Sequence, residues 1–197
     1  MIFTKIMGVF EWVMYFAFLN VLFVGGVLAG GVIFGIFPAS FATISIAKRL
    51  VNEPGFHLGK AFWSAYKAHF WKSQRVGYAF SLVNVILGSN VIFWRQIFMP
   101  ISWAWLVIFI LFALGSLLLF GTTVENHYTV PQIGKLFFHC LSQLHLNVAL
   151  LLGLVVVILG TLLMPGIFIF FSGSLILTWV MFVNHLYVRK IEKVKNV

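Results

Sequence analysis

Few side chains in this sequence could carry chemistry. Its only carboxylate side chains are Glu11, Glu53, Glu125 and Glu192. General acid–base work needs a titratable group held within hydrogen-bond reach of the reacting atoms. One compact polar trio meets the first condition, Glu125-Asn126-His127, where Glu125 and His127 could pass a proton. The same trio also reads as the solvated end of a helix, which is the simpler account. The six histidines stand at 57, 69, 127, 139, 145 and 185. A zinc site wants converging ligands, such as His at i and i+4 with a third partner, and no pair has that spacing. The single cysteine, Cys140, excludes an internal disulfide and a cysteine metal cluster. No catalytic residue, metal ligand or cofactor is therefore expected, and the chain reads as a non-enzyme.

The remaining polar side chains lie inside apolar runs. Asn20, Asn84, Asn90, Ser116, Thr178 and Asn184 have the size and position to hydrogen-bond between packed helices. The alternative is a polar pocket built from Asn20, Asn84, Glu125, His127 and Asn184.

The elements that must position these groups follow from composition. Of the 197 residues, 62% are hydrophobic and 9% charged, and the mean hydropathy is +1.07. An ordinary soluble domain is about 25% charged, so this chain cannot clothe a water-soluble globule. It is an integral membrane protein. Aromatics at 18% suit lipid-facing helices and interfacial belts. The net charge of +9 is clustered, with six basic residues from Lys48 to Arg75 and four from Arg189 to Lys195. Such clusters flanking apolar spans read as positive-inside topology, not as a nucleic-acid surface.

A crossing needs about 20 apolar residues. Residues 76–94 and 101–124 qualify, joined by Arg95-Gln96-Ile97-Phe98-Met99-Pro100. From Leu146 to Tyr187 no Lys, Arg, Asp or Glu occurs, and Met164-Pro165-Gly166 divides the stretch into spans of about 146–163 and 166–187. The first apolar stretch, Trp12 to Ala47, would make one helix of roughly 54 Å at 1.5 Å per residue, too long for one crossing. The expectation is a span over 13–35, a break at Gly35–Pro38, and a short helix reaching Lys48-Arg49. A hairpin of two short spans is the alternative. Five spans with the N-terminus outside leave Lys5 and Arg95 outside and the other eleven basic residues in the cytoplasm. The hairpin would move only Lys5 inside, so the C-terminus is cytoplasmic either way.

Two further segments are amphipathic. Over 56–72, Phe56, Phe62, Trp63, Tyr66 and Phe70 share one arc at about 100° per residue, with Lys60 and Lys67 opposite. This reads as an in-plane cytoplasmic helix, its aromatic face toward lipid or a partner and its lysines toward anionic headgroups. Residues 131–145 form a second such segment, with Ile133, Phe137, Cys140, Leu141 and Leu144 on its apolar side. Leu58–Trp63 also aligns with Ile133–Phe138, and 82–88 with 154–160. The same order of elements suggests two parallel repeat units, 56–124 and 131–187.

Gly35-Ile36-Phe37-Pro38-Ala39, Ala47-Lys48-Arg49-Leu50 and the aromatic-lysine run from Phe62 to Ser73 together resemble the YesL-type family of small bacterial membrane proteins. Asn20 also stands where that family commonly has Asn, and 128–145 is similar more loosely. The resemblance makes Gly35, Phe37, Pro38 and Ala39 a structural turn and implies no enzymatic activity. Members are typically encoded beside carbohydrate ABC importers and glycan-degrading enzymes, which implies a role in sugar uptake. The expectation is a single membrane domain over 1–197: 13–50 as the broken first span, the two repeat units, and a basic cytoplasmic tail at 188–197. Its fold is all-α polytopic, with five transmembrane helices, two in-plane helices and a parallel internal repeat, in the bacterial plasma membrane. The partners expected are membrane lipid and the permease subunits of a sugar ABC importer. The alternative is an autonomous small-solute transporter using the repeat interface.

Overall fold

The computed structural model describes residues 2–52, 56–126, 130–163, 173–184 and 186. Every regular element among them is helical. The helices are α1 (Ile2–Ala29), α2 (Ile36–Asn52), α3 (Leu58–Ile97), α4 (Met99–Glu125), α5 (Val130–Ser142), α6 (Leu144–Leu163) and α7 (Gly173–Asn184). Three stretches are long and apolar enough to cross a membrane: Trp12–Ala29 of α1, then α3 and α4. The apolar parts of α6 and α7, Leu146–Gly160 and Gly173–Asn184, are shorter. The expected break at Met164-Pro165-Gly166, His127 and the tail from 188 lie outside the described residues.

The chain packs as two compact units, Met1–Phe70 with Leu152–Phe182, and Trp71–Leu151 with Val183–Val197. In the first unit, α1 ends earlier than expected. The break falls at Gly30–Gly35, not at Gly35–Pro38, and the helix resumes at Ile36. Pro38 lies in the first turn of α2, where a helix needs no amide hydrogen from it; it does not break the helix. The turn is made by Gly31 and Val32, both left-handed at φ 66° and 64°. Its amides bond within the turn: Val32 N–H donates to the Val27 carbonyl at 2.9 Å and Ile36 N–H to the Val32 carbonyl at 3.1 Å. A side chain on Gly35 would collide with the Val27 backbone, and one on Gly26 would press on Ala39 and Phe62. The helices can therefore close into a tight antiparallel hairpin, as in the alternative weighed above, although of the two only α1 contains a stretch long and apolar enough to cross a membrane.

In α3 the amphipathic segment and the apolar span are one unbroken 40-residue helix. No separate in-plane helix exists there, because Lys72-Ser73-Gln74-Arg75 contains no residue that ends a helix. At 1.5 Å per residue the helix is about 60 Å long, twice the hydrocarbon core of about 30 Å.

In the second unit α3 and α4 are joined by Phe98 alone, and Pro100 sits in the first turn of α4. The Ser102 hydroxyl donates to the Val91 carbonyl at 3.0 Å, and Asn84 Nδ2 donates to Ser116 Oγ at 3.2 Å. The two contacts fix these helices antiparallel. The second amphipathic segment is α5, a separate helix parted from α6 at Gln143. It folds back along α4, with the Phe137 ring against Gly115 and 4.8 Å from that of Phe112. The repeat expected between 56–124 and 131–187 is not reproduced by these elements, since its first amphipathic helix is fused to its span and its second is not. The pairs that do match are α1–α2 and α4–α5: each is a long apolar helix followed by a short helix with proline in its first turn that packs back on it.

The hairpin turn yields two changes of opposite sign. Gly35→Ala should lower the detergent-solubilised protein's melting temperature, because the added methyl meets backbone. Val32→Gly should raise it, since a β-branched residue in the left-handed region costs about 1 kcal/mol or more. Thermal unfolding in maltoside micelles reads both, and equal effects would contradict this turn.

Candidate functional site

The residues singled out by sequence divide sharply once side chains are placed. Phe62 is wholly buried and Tyr66 nearly so. Both turn into the groove between α1 and α2, where the Phe62 ring lies against the gap left by Gly26. The Tyr66 hydroxyl donates to the Gly26 carbonyl at 3.0 Å across 40 residues of sequence. Trp63, Tyr66 and Phe70 continue the cluster ring against ring at 5.3 and 5.6 Å, and Phe41 of α2 stacks on His69 at 4.7 Å. The aromatic arc is therefore the core of the first unit, and Phe62 and Tyr66 correct the expectation of a partner- or lipid-facing surface. Periodicity found the apolar face, but it could not say what covered that face. Lys60 and Lys67 are exposed on the opposite side, as expected. Trp71, the residue after Phe70, is 75% exposed.

Of the expected turn motif only Gly35 lies in the turn; Phe37, Pro38 and Ala39 belong to α2. Pro38 and Ala39 are fully buried, Phe37 is half-buried, and Gly35 is pressed on Val27. The Thr43 hydroxyl closes on the Ala39 carbonyl at 2.9 Å, so α2 leaves no hydroxyl unsatisfied at its buried face.

Of the residues considered for a polar pocket, Asn20 and Asn84 make separate bonds. Asn20, 2% exposed, accepts the Ser174 N–H at 3.1 Å, and the Ser174 hydroxyl donates to the Phe16 carbonyl at 3.0 Å. Asn20 thus ties the start of α7 to α1, a 154-residue link that sequence spacing does not reveal. Asn84 is held by Ser116 and by the Phe80 carbonyl at 2.9 Å. Asn184 is buried near the end of α7, while Glu125 is exposed at the end of α4. Beside Glu125, the Asn126 carbonyl accepts Lys72 Nζ at 3.2 Å. Among the described residues no three His, Cys, Asp or Glu side chains converge to hold a metal.

Sequence reasoning missed the concave feature of the first unit. Tyr15 and Phe18 of α1 face Phe56, His57 and Lys60 across an open cavity of about 480 Å³. Arg49 lies over the outer edge of this wall, its guanidinium 4.4 Å from the centroid of Phe56. The cavity depends on the pairing of α1 with α2, which brings Tyr15 and Arg49 to one end. Glycines at 25, 30 and 35 pointed to a turn but not to that pairing.

Comparison with known proteins fits this placement. Residues 16–91, covering the second half of α1, all of α2 and most of α3, match the family described as a protein of unknown function, DUF624. The uncharacterized protein YteU of Bacillus subtilis (strain 168) is 29% identical over 171 residues, covering 84% of this chain and 77% of that protein. The uncharacterized protein YesL of the same organism is 28% identical over 173 residues, covering 84% and 80%. No solved structure matches the chain. These matches bear out the resemblance to the YesL-type family.

Truncating Phe62 to Ala should destabilise the protein by about 3–5 kcal/mol, the usual cost of emptying a buried aromatic site. Trp71→Ala should leave the midpoint within about 0.5 kcal/mol, as for other exposed positions. Denaturant titration in mixed micelles, followed by far-ultraviolet circular dichroism, separates the two.

Proposed function

We propose that this is a non-catalytic integral membrane protein that assists carbohydrate uptake, as an accessory subunit bound to the permease of a sugar ABC importer. The observation that carries the non-catalytic part is how the polar side chains are used. Asn20 and Asn84 are engaged in helix-to-helix bonds, and among the described residues no three His, Cys, Asp or Glu side chains converge. The apolar outer faces of α3 and α4 remain, with Ile92, Phe93, Trp103 and Val107 exposed, a surface suited to lipid and to another membrane helix. The sugar importer rests on the family resemblance alone. An autonomous transporter would need a polar path, and Asn20 and Asn84, two of the amides that could line one, are engaged in these bonds.

The topology that accompanies this reading is a multi-pass protein of the bacterial plasma membrane. The paired α1 and α2 favour the hairpin version, with both termini in the cytoplasm. Tyr15 then lies at the same end as Arg49 and Lys60, and Lys5 joins the basic side. Twelve basic residues stand inside against Arg95 outside, a stronger positive-inside bias than an external N-terminus provides.

Fusions of a compartment reporter before Met1 and after Val197 should both report cytoplasm; an external signal from the N-terminal fusion would restore the five-span arrangement. Mild-detergent affinity purification at native expression, with mass spectrometry, should recover permease subunits. Absence of any permease, combined with sugar uptake by the purified protein in proteoliposomes, would replace the accessory role with transport.

A further inference from the structure

The cavity between α1 and the start of α3 has no part in the role just proposed, yet its walls are chemically uneven. One side is apolar and aromatic, made by Tyr15, Phe18 and Phe56. The other carries His57 and Lys60, both exposed, and Arg49 extends the cationic rim from its stacked position on Phe56. At about 480 Å³ it lies within the roughly 300–1,000 Å³ range of small-ligand sites. Its neighbours are aromatic and basic. Trp12 stands edge-on to Tyr15 at 6.5 Å and close to Phe16 at 5.8 Å, the aromatic grouping that settles at the headgroup level of a bilayer. Lys48 and Arg49 end the apolar part of α2 at the same end of the hairpin.

From this geometry we infer that the cavity is a binding site for one anionic phospholipid. The headgroup phosphate sits between Lys60 and Arg49, and the upper acyl chain lies on Phe18, Tyr15 and Phe56. Three features select this occupant. The rim is cationic and so complements a phosphodiester; the wall is apolar and so complements hydrocarbon; and the cavity lies where both parts of a lipid are present together. A soluble phosphate would satisfy the rim alone and leave the aromatic wall wet. A zwitterionic lipid would satisfy the wall but bring its own cation against Lys60 and Arg49. The site is independent of the accessory role, since a lipid can bind with or without a permease.

The test uses the full chain in maltoside micelles doped with phosphatidylglycerol or with phosphatidylcholine of the same acyl chains, with native mass spectrometry counting bound lipid. One phosphatidylglycerol should be retained in preference to phosphatidylcholine by roughly tenfold, in keeping with two basic side chains acting on one headgroup. The double change Arg49→Gln with Lys60→Gln should abolish that preference. Lys67→Gln with Arg75→Gln removes the same charge elsewhere on exposed surface and should preserve it. Phe18→Ala, at a half-exposed position whose loss the fold tolerates, should weaken retention of both lipids. Equal retention of the two lipids by the unaltered protein would overturn the proposal. So would equal loss in both double variants, which would assign the effect to net charge, or displacement of the lipid by glycerol phosphate at matched concentration.

Discussion

Three helices of this protein meet at Gly26, and they meet there because that residue has no side chain. Ala39 of α2 and the ring of Phe62 occupy the space where a Cβ would project, and the Gly26 carbonyl takes the Tyr66 hydroxyl. Between apolar helices in lipid there is little hydrophobic force to draw them together, so close backbone approach and shared hydrogen bonds must do it. The contact supplies both at one point. It fixes the depth to which α1 and α2 interleave and the register of α3 against them. That register in turn sets Phe56 and Lys60 opposite Tyr15 and Phe18.

The polar side chains obey the same constraint. In an apolar surrounding, a hydroxyl or amide left unpaired is costly, and most here bond locally or to one neighbour. The Ser40 hydroxyl donates to the Ile36 carbonyl, that of Ser89 to the Ile86 carbonyl, and that of Thr122 to the Leu119 carbonyl, each within one helical turn. Fewer reach another helix, as Asn20, Asn84 and Ser102 do. Such bonds average about 0.6 kcal/mol between membrane helices, so they specify which faces meet more than they hold them together.

The basic residues add a second level of organisation. Once α2 turns back along α1, Arg49 and Lys60 no longer lie at the far end of a long apolar stretch. They gather beside Trp12 and Tyr15, where the first helix enters the bilayer. Positive charge, aromatic belt and a cavity thus coincide at one level, and a lipid-binding role follows from their coincidence more than from any one of them.

Some of this was legible in the residues alone. Scarcity of charge dictates a membrane protein; the runs at 76–94 and 101–124 dictate α3 and α4; and the spacing of Phe62, Trp63, Tyr66 and Phe70 dictates a helix with one apolar face. These are local or compositional facts, each determined by residues within a few turns of one another. Tertiary structure decided the rest. The break moved to Gly30–Gly35 because glycine spacing allows several turns, whereas the contacts of Gly26 with Ala39 and of Gly35 with Val27 allow one. The aromatic arc went inward because an apolar face is equally suited to lipid, to a partner or to its own chain, and only the returning α2 completes a groove to receive it. The tie from Asn20 to Ser174 spans 154 residues, and no periodicity reaches that far. Periodicity shows that a face must be covered; which surface covers it depends on how distant helices pack.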